Sequence, residues 1–336
     1  MRRYAVSFIC FALPMLLLCG CSVKNTAPSN VHEYIVTALG FEEKADNIEV
    51  FIEALVVNSE DTEAERRLEI ITAEGKTVGE AVNNASKKTS QPLLLSHCGV
   101  VVTDSSISPE RFSEICNYCY TEDEITLSVM FVTTKNALEL LSCEAISSIS
   151  VGFDIMNMIE RQNSDSGTVY KNRFYEIATN TSKPQKIFAL PFFETEDGGY
   201  SISGLAVFED YKQIASLNDT ESRIYFIMSD SQGSGEFYIG ENVFKVSTLN
   251  TVYKFSYTDR LNIKLIIDVK AKVGEEKLKK LLKKEIPLAF NRLKESGEDP
   301  FAFGNLIYNK ERQIWEKIKK DYSGYYINSN ITVEIK

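Results

Sequence analysis

Apolar and polar residues alternate along residues 32–160 with two different periods, one typical of strands and one typical of helices. The segments Tyr34–Leu39 and Ile48–Val57 are rich in β-branched and aromatic residues, and together they predict a hairpin. The capping-box pattern Thr77-Val-Gly-Glu80 predicts the start of a helix. Further elements are expected as strands at 93–95 and 99–103, a helix opened by Ser108-Pro109-Glu110, a strand at 127–132 and a helix at 136–141. This alternation predicts an α/β or α+β domain that ends near residue 160.

The pattern changes after residue 160. Residues 161–200 have no clear period and carry many Asn, Ser, Thr and Gly, which predicts a linker with one helix near Tyr170–Ile177. Later, the strand Leu261–Lys270 leads into a long amphipathic helix, Glu275–Lys294. Its predicted buried side chains are Leu278, Leu281, Leu282, Ala289, Phe290 and Leu293. The other expected elements are hairpin strands at 202–208 and 213–217, helices at 299–307 and 310–320, and a closing strand at 331–335.

The N-terminus has the pattern of a lipoprotein export signal. Arg2 and Arg3 precede an apolar run over residues 4–18 that is shorter than the roughly 20 residues of a membrane-spanning helix. Leu18 and Gly20 before Cys21 resemble a bacterial lipobox, in which the cysteine thiol receives a diacylglyceryl group and becomes the mature N-terminus. We therefore predict lipidation at Cys21. The alternatives are an uncleaved anchor helix and a plain secretory signal.

The length suits two or three domains behind a lipoprotein signal peptide, and the elements predict an α+β protein. The predicted parts are a signal peptide at 1–20, a polar tether at 21–31, an N-terminal domain at 32–195 with a linker at about 161–195, a middle domain at 196–252 and a C-terminal domain at 253–336.

The charge of the chain disfavours two classes of partner. The formal net charge is −10 at pH 7. Nucleic-acid binding relies on Lys and Arg neutralising phosphates, so we expect no nucleic-acid partner. Overall charge would not hold such a chain on an anionic membrane either, and membrane attachment would fall to acyl chains at Cys21.

Four cysteines lie beyond Cys21, namely Cys98, Cys116, Cys119 and Cys143. They are too few for the disulfide framework of a small secreted domain. The pair Cys116 and Cys119 has redox spacing but lies inside a predicted helix, whereas redox motifs sit where a strand meets a helix N-terminus. We interpret the four as buried structural thiols, with one disulfide or a redox role as alternatives.

The residues that usually carry catalysis or bind metals are sparse. The chain contains only two histidines, His32 and His97, sixty-five residues apart in sequence. A histidine-based zinc or general-base site is hard to assemble from them. We expect no catalytic, cofactor or metal site. The lysines of the long late helix are interpreted as a solvated edge, or alternatively as a basic strip facing lipid headgroups or an acidic partner. They are Lys277, Lys279, Lys280, Lys283 and Lys284.

Several segments, in a fixed order, resemble one known family. They are Glu74–Lys87, Ser96-His97 with the apolar run 99–102, Tyr200–Phe208, and Glu298–Gly304 followed by Trp315. With the lipobox, they resemble the Ger(x)C family of spore germination lipoproteins, the C subunits of nutrient germinant receptors. Ala302 stands where that family often has glycine.

The resemblance implies a non-enzymatic receptor subunit with three mixed α/β domains and no cofactor, tethered to the outer face of the inner spore membrane. It also implies two partners, a multi-pass A subunit and a transporter-like B subunit. Two alternatives remain open. One is a lipid-anchored solute-binding protein serving a membrane transporter, and the other is an exported enzyme.

Overall fold

The computed structural model describes residues 32–58, 67–165, 170–229, 233–239 and 241–336. The predicted signal peptide, the tether and Cys21 lie outside the described residues. Within the described part, no helix combines the length and the apolar character that crossing a bilayer would require.

The first sheet has a parallel centre flanked by two antiparallel hairpins. Its strands follow the order β3-β2-β1-β5-β6-β7-β8-β9, with the short β4 beside β1. They are β1 His32–Lys44, β2 Asn47–Asn58, β3 Arg67–Gly75, β4 Leu93–Leu94, β5 Val100–Asp104, β6 Met130–Thr134, β7 Ile187–Glu196, β8 Gly199–Glu209 and β9 Lys212–Asn218. The central pairs β1–β5, β5–β6 and β6–β7 are parallel. The outer pairs β1–β2, β2–β3, β7–β8 and β8–β9 are antiparallel.

The central strands are buried on both faces. Every residue of β5 and β6 is buried, as expected for parallel strands covered on both sides. Val101 of β5 belongs to one apolar cluster, while Val100 and Val102 belong to a second cluster on the opposite face. The second cluster continues into the other half of the molecule, where it includes Phe290.

Helices cover the first sheet, and their starts follow local capping signals. They are α1 Val78–Ser86, α2 Pro109–Thr121, α3 Ala137–Leu141, α4 Val151–Asp165, α5 Phe174–Thr181 and α6 Asp219–Met228. The side chains of Thr77, Ser108 and Asn136 each accept a hydrogen bond from a backbone N–H of the first turn. Such caps satisfy N–H groups that have no partner within the helix. The predicted starts of these three helices are therefore confirmed.

The prediction that residues 161–200 lack regular structure apart from one helix is wrong. This stretch includes the end of α4 and all of α5 and β7. Helix α5 begins at Phe174, later than predicted, because the preceding residues bond to the sheet. The Asn172 side chain donates to the carbonyl oxygen of Phe131 at 2.9 Å.

Helix α4 has no strong start signal in the sequence and is placed by a distant carboxylate. Glu53, in β2, is fully buried and accepts hydrogen bonds from the N–H groups of Val151 at 2.7 Å and Gly152 at 2.9 Å. The hydroxyl of Thr37 donates to the same carboxylate at 2.6 Å. An anion at a helix N-terminus satisfies the unpaired N–H groups and interacts favourably with the helix dipole.

The second sheet is smaller and has the order β10-β11-β12-β13. Its strands are β10 Gly235–Ile239, β11 Asn242–Tyr257, β12 Leu261–Ala271 and β13 Asn330–Ile335. Its helices are α7 Glu275–Lys294, α8 Phe303–Lys310, α9 Arg312–Ile318 and α10 Tyr322–Ile327. The buried face of α7 matches the prediction except that Leu281 is only partly buried and Ile286 joins the core.

The observed fold confirms a mixed α/β, multi-domain architecture. Both predicted internal boundaries fall inside strands, at the end of β7 and within β11. Strand pairing instead groups residues 32–218 in one sheet and residues 235–335 in the other. The N–H and C=O groups of a strand need partners along its whole length. The division between the two sheets therefore does not fall at the domain boundaries that the sequence pattern predicted.

Candidate functional site at the junction of the two sheets

The described residues give no support for a redox, catalytic or metal site built on cysteine or histidine. Cys98, Cys116 and Cys119 are buried, Cys143 is partly buried, and all four are free thiols. Burial raises the pKa of Cys98 to about 12, so its thiol is protonated at neutral pH. Neighbouring His97 is exposed. No group of three or more His, Cys, Asp or Glu suited to a metal ion occurs in the described part of the chain.

The lysines of α7 behave mainly as a solvated helix edge. Lys279 pairs with Glu275 at 2.7 Å, and Lys284 pairs with Glu285 at 3.0 Å. Lys277 donates to the side-chain oxygen of Asn242. Exposed pairs of this kind contribute little to stability, on the order of 0–1 kcal/mol.

The two sheets are joined by a buried set of amide hydrogen bonds between Gln185 and Asn305. The N–H of Gln185 donates to Oδ1 of Asn305 at 2.9 Å, and Nδ2 of Asn305 donates to the carbonyl oxygen of Gln185 at 2.7 Å. The N–H of Asn305 donates to Oε1 of Gln185 at 3.1 Å. Gln185 precedes β7 of the first sheet, and Asn305 lies in α8, which packs with the second sheet. The contact therefore fixes the two halves to each other.

The segment before Asn305 is shaped for this contact. A Cβ atom on Gly304 would lie 2.3 Å from Oε1 of Gln185, so a side chain there would displace the Gln185 amide group from its hydrogen bond with the N–H of Asn305. Ala302 has a left-handed backbone with φ of 55°. Glycine adopts that conformation without the cost of a Cβ atom, which gives a physical reason for the glycine that the resembled family often has there.

Asp299 is a buried carboxyl group at the start of this segment. It is 2% exposed, and its Oδ2 accepts hydrogen bonds from the Tyr322 hydroxyl at 2.6 Å and from the Gly304 N–H at 3.0 Å. Burial raises its pKa to about 6, although these hydrogen bonds oppose the shift. Asp299 thus holds the loop that presents Asn305 to Gln185.

A second carboxyl group meets this loop from the first sheet. Glu209, at the end of β8, is hydrogen bonded to Glu298, and Asp210 and Asp299 lie nearby. Partial burial and then the bond and charge of Glu298 raise the pKa of Glu209 to about 7. Glu209 and Glu298 thus form a carboxyl pair at the junction, and Glu209 keeps its proton to a higher pH than an ordinary glutamate does.

Next to these contacts, an open cavity of about 260 Å³ lies between the two sheets, and we call it the junction cleft. Residues of the first sheet and of α5 and α6 line one side, and residues of β11 and α8 line the other. The lining residues used below are Tyr170, Lys171, Lys183, Phe226, Phe301 and Lys310. Sequence reasoning missed this cleft because Lys171 and Lys183 lie in the predicted linker.

Two family models match the chain in order. The model of the spore germination protein N-terminal domain matches residues 32–195, and the model described as spore germination B3/GerAC-like, C-terminal, matches residues 203–336. The chain is 21% identical to the spore germination protein GerQC of Bacillus cereus over 328 residues. The match covers 85% of this chain and 91% of that protein.

The fold is similar to that in the crystal structure of the GerBC protein. The TM-score is 0.53 at 14% sequence identity, and the match covers 88% of this chain and 95% of that chain. The boundary between the two family matches falls at the β7–β8 hairpin. Strands β8 and β9, which belong to the C-terminal match, therefore complete the sheet of the N-terminal match.

Replacing Asn305→Ala should destabilise the protein by about 2–4 kcal/mol, because it leaves the buried N–H and C=O of Gln185 without partners. The free energy of unfolding in urea measures this. Asn309→Ala, on an exposed position of the same helix, is the control and should change stability by less than about 0.5 kcal/mol. Equal effects of the two substitutions would contradict the assigned role of Asn305.

The free energy of unfolding should decrease as pH rises from about 5 to about 8. The folded pKa values of Glu209, about 7, and Asp299, about 6, exceed their ordinary values of 4.5 and 3.8. The folded chain therefore binds protons more tightly than the unfolded chain in this window, and stability is lost as these groups ionise. Glu209→Gln should reduce the decrease and stabilise the protein at pH 8.

Urea unfolding at both pH values measures this effect. The control Glu196→Gln removes an exposed carboxylate at the β7–β8 turn and should leave the decrease unchanged. A Glu209→Gln variant with the same pH dependence as the parent would show that the carboxyl pair is not the cause.

Proposed function

The chain belongs to the Ger(x)C family of spore germination proteins, and we propose that it is a lipid-anchored, non-enzymatic subunit of a nutrient germinant receptor in the inner spore membrane. The observation that carries this proposal is the match of two family models, in order, to residues 32–195 and 203–336. We further propose a multi-pass A subunit and a transporter-like B subunit as its partners. Its action would be to contact them, not to transform a substrate.

The way in which the chain uses its buried carboxylates supports a role without catalysis. Glu53 bonds the N-terminus of α4. Asp154, within α4, accepts hydrogen bonds from the hydroxyls of Tyr200 at 2.8 Å and Ser147 at 2.8 Å. Although desolvation opposes it, this hydrogen bonding lowers the pKa of Asp154 to about 2, so the group is ionised and committed to its partners. Both carboxylates hold elements of the fold together.

The proposed anchor would confine the folded body to the membrane surface. A tether over residues 21–31 spans at most roughly 40 Å when fully extended. Strand β1 begins directly after it, at His32. Confinement to such a layer raises the effective concentration of the subunit for membrane partners without any new contact. Two or more acyl chains would make the anchoring stable.

Cys21→Ala should give a folded protein that no longer fractionates with membranes, because the acyl chains are the proposed attachment. Fractionation of cell lysates, with circular dichroism to confirm folding, measures this. Cys19→Ala is the matched control, since that thiol lies in the predicted signal peptide, and it should remain in the membrane fraction. Retention of the Cys21→Ala protein on membranes would contradict the proposed anchor.

Purification of the tagged protein from detergent-solubilised spore membranes should recover one multi-pass, channel-like subunit and one transporter-like subunit. Mass spectrometry of the co-purified chains identifies them, and a parallel purification from spores that carry the untagged protein is the control for non-specific capture. Recovery of the protein alone, under conditions that preserve other membrane complexes, would argue against the receptor and favour a solute-binding protein that serves a transporter.

A further inference from the structure

The junction cleft has the dimensions and the walls of a small-molecule site. Its volume of about 260 Å³ is slightly below the range of roughly 300–1,000 Å³ for ligand pockets, so it suits a small ligand. It lies between the two sheets, and ligand pockets occur preferentially at boundaries between structural units. Neither the carboxyl pair nor the proposed membrane anchor accounts for it.

Aromatic side chains, braced by their neighbours, form the apolar part of the cleft. The ring of Tyr170 meets that of Phe226 edge-on, with centroids 5.1 Å apart. The ring of Tyr225 stacks on that of Phe301 with centroids 5.9 Å apart. Phe226 and Phe301 are 3% and 4% exposed, so both are packed in place. A wall of this kind favours a planar or apolar ligand body.

The polar part of the cleft is cationic. Lys171, Lys183 and Lys310 line it, and its lining residues include no Asp or Glu. Across the described ranges, none of these three lysines forms a salt bridge. The positive charge of the cleft is local, because the whole chain has 47 acidic and 37 basic residues.

Two of these lysines are close enough to repel each other. Desolvation by the surrounding protein and the positive charge of Lys171 lower the pKa of Lys183, although its side chain is exposed at the edge of the cleft. The Lys183 ammonium donates to Oδ1 of Asn180 at 2.6 Å, but that neutral amide supplies no counter-charge. An anion bound between the two lysines would relieve this repulsion, because each ammonium group would gain an opposite charge.

We propose that the junction cleft binds a small organic acid, with its carboxylate between Lys171 and Lys183 and its apolar body against the aromatic wall. The cleft selects net anions over zwitterions. The ammonium group of a free amino acid would lie near three lysines, and no lining residue has a carboxylate that could pair with it. The proposal does not depend on the receptor function, and the purification experiment above and the binding experiment below can fail independently.

Calorimetric titration of the purified full chain with 3-phenylpropionate tests the proposal. Two comparison probes share its body: 3-phenylpropanamide, which is neutral, and phenylalanine, which is zwitterionic. The acid should bind at least about tenfold more tightly than either, a difference of about 1.4 kcal/mol.

The double variant Lys171→Gln/Lys183→Gln should weaken binding of the acid at least about tenfold. Both lysines are exposed, so the fold should tolerate the change. The matched control is Lys280→Gln/Lys283→Gln, which removes the same charge from exposed positions on α7 and should bind as the parent does.

Three results would overturn the proposal. They are an absence of binding of 3-phenylpropionate up to about 10 mM, equal affinity for the acid and the amide, and unchanged affinity in the Lys171→Gln/Lys183→Gln variant. Equal weakening by the control variant would show a response to overall charge instead of a site, and would overturn it as well.

Discussion

The pairing of β7 with β8 is the contact on which the rest of the molecule depends. It runs from Ile187 opposite Glu209 to Glu196 opposite Gly199, across the boundary between the two family matches. The C-terminal part of the chain thereby supplies the last two strands of the N-terminal sheet. Backbone hydrogen bonds along a buried ladder are costly to break. The two parts are therefore expected to move as one body in this region.

The pairing of β7 with β8 explains why several buried polar groups meet at the junction of the two sheets. Once β8 and β9 belong to the first sheet, the chain must pass to the second sheet, and the loop before α8 returns to meet β7. The amides of Gln185 and Asn305 satisfy backbone groups that this meeting buries. Glu209 and Glu298 meet for the same reason, and the space left between the sheets is the junction cleft.

Local signals predicted most of the helices and the central strands. The caps at Thr77, Ser108 and Asn136 act within four residues, so they can be recognised without the fold. Buried strands such as β5 are continuous apolar runs for an equally local reason. Helix α4 was not predicted because its start depends on Glu53, which lies ninety-eight residues before Val151 in sequence. The β7 segment was hidden by polar neighbours that look like a linker.

By itself, the sequence determined the family, the mixed α/β class and most of the apolar face of α7, and it is the basis of the prediction that Cys21 is lipidated. Each of these depends on residue order or short-range periodicity. Only the tertiary structure decided where the sheets divide, which carboxyl groups meet, and that Lys171 and Lys183 line one cleft. Gln185 and Asn305 are 120 residues apart in sequence, and nothing local to either one specifies the other. Long-range pairings of this kind are fixed by packing and by the need to satisfy buried polar groups, which act on the folded chain as a whole.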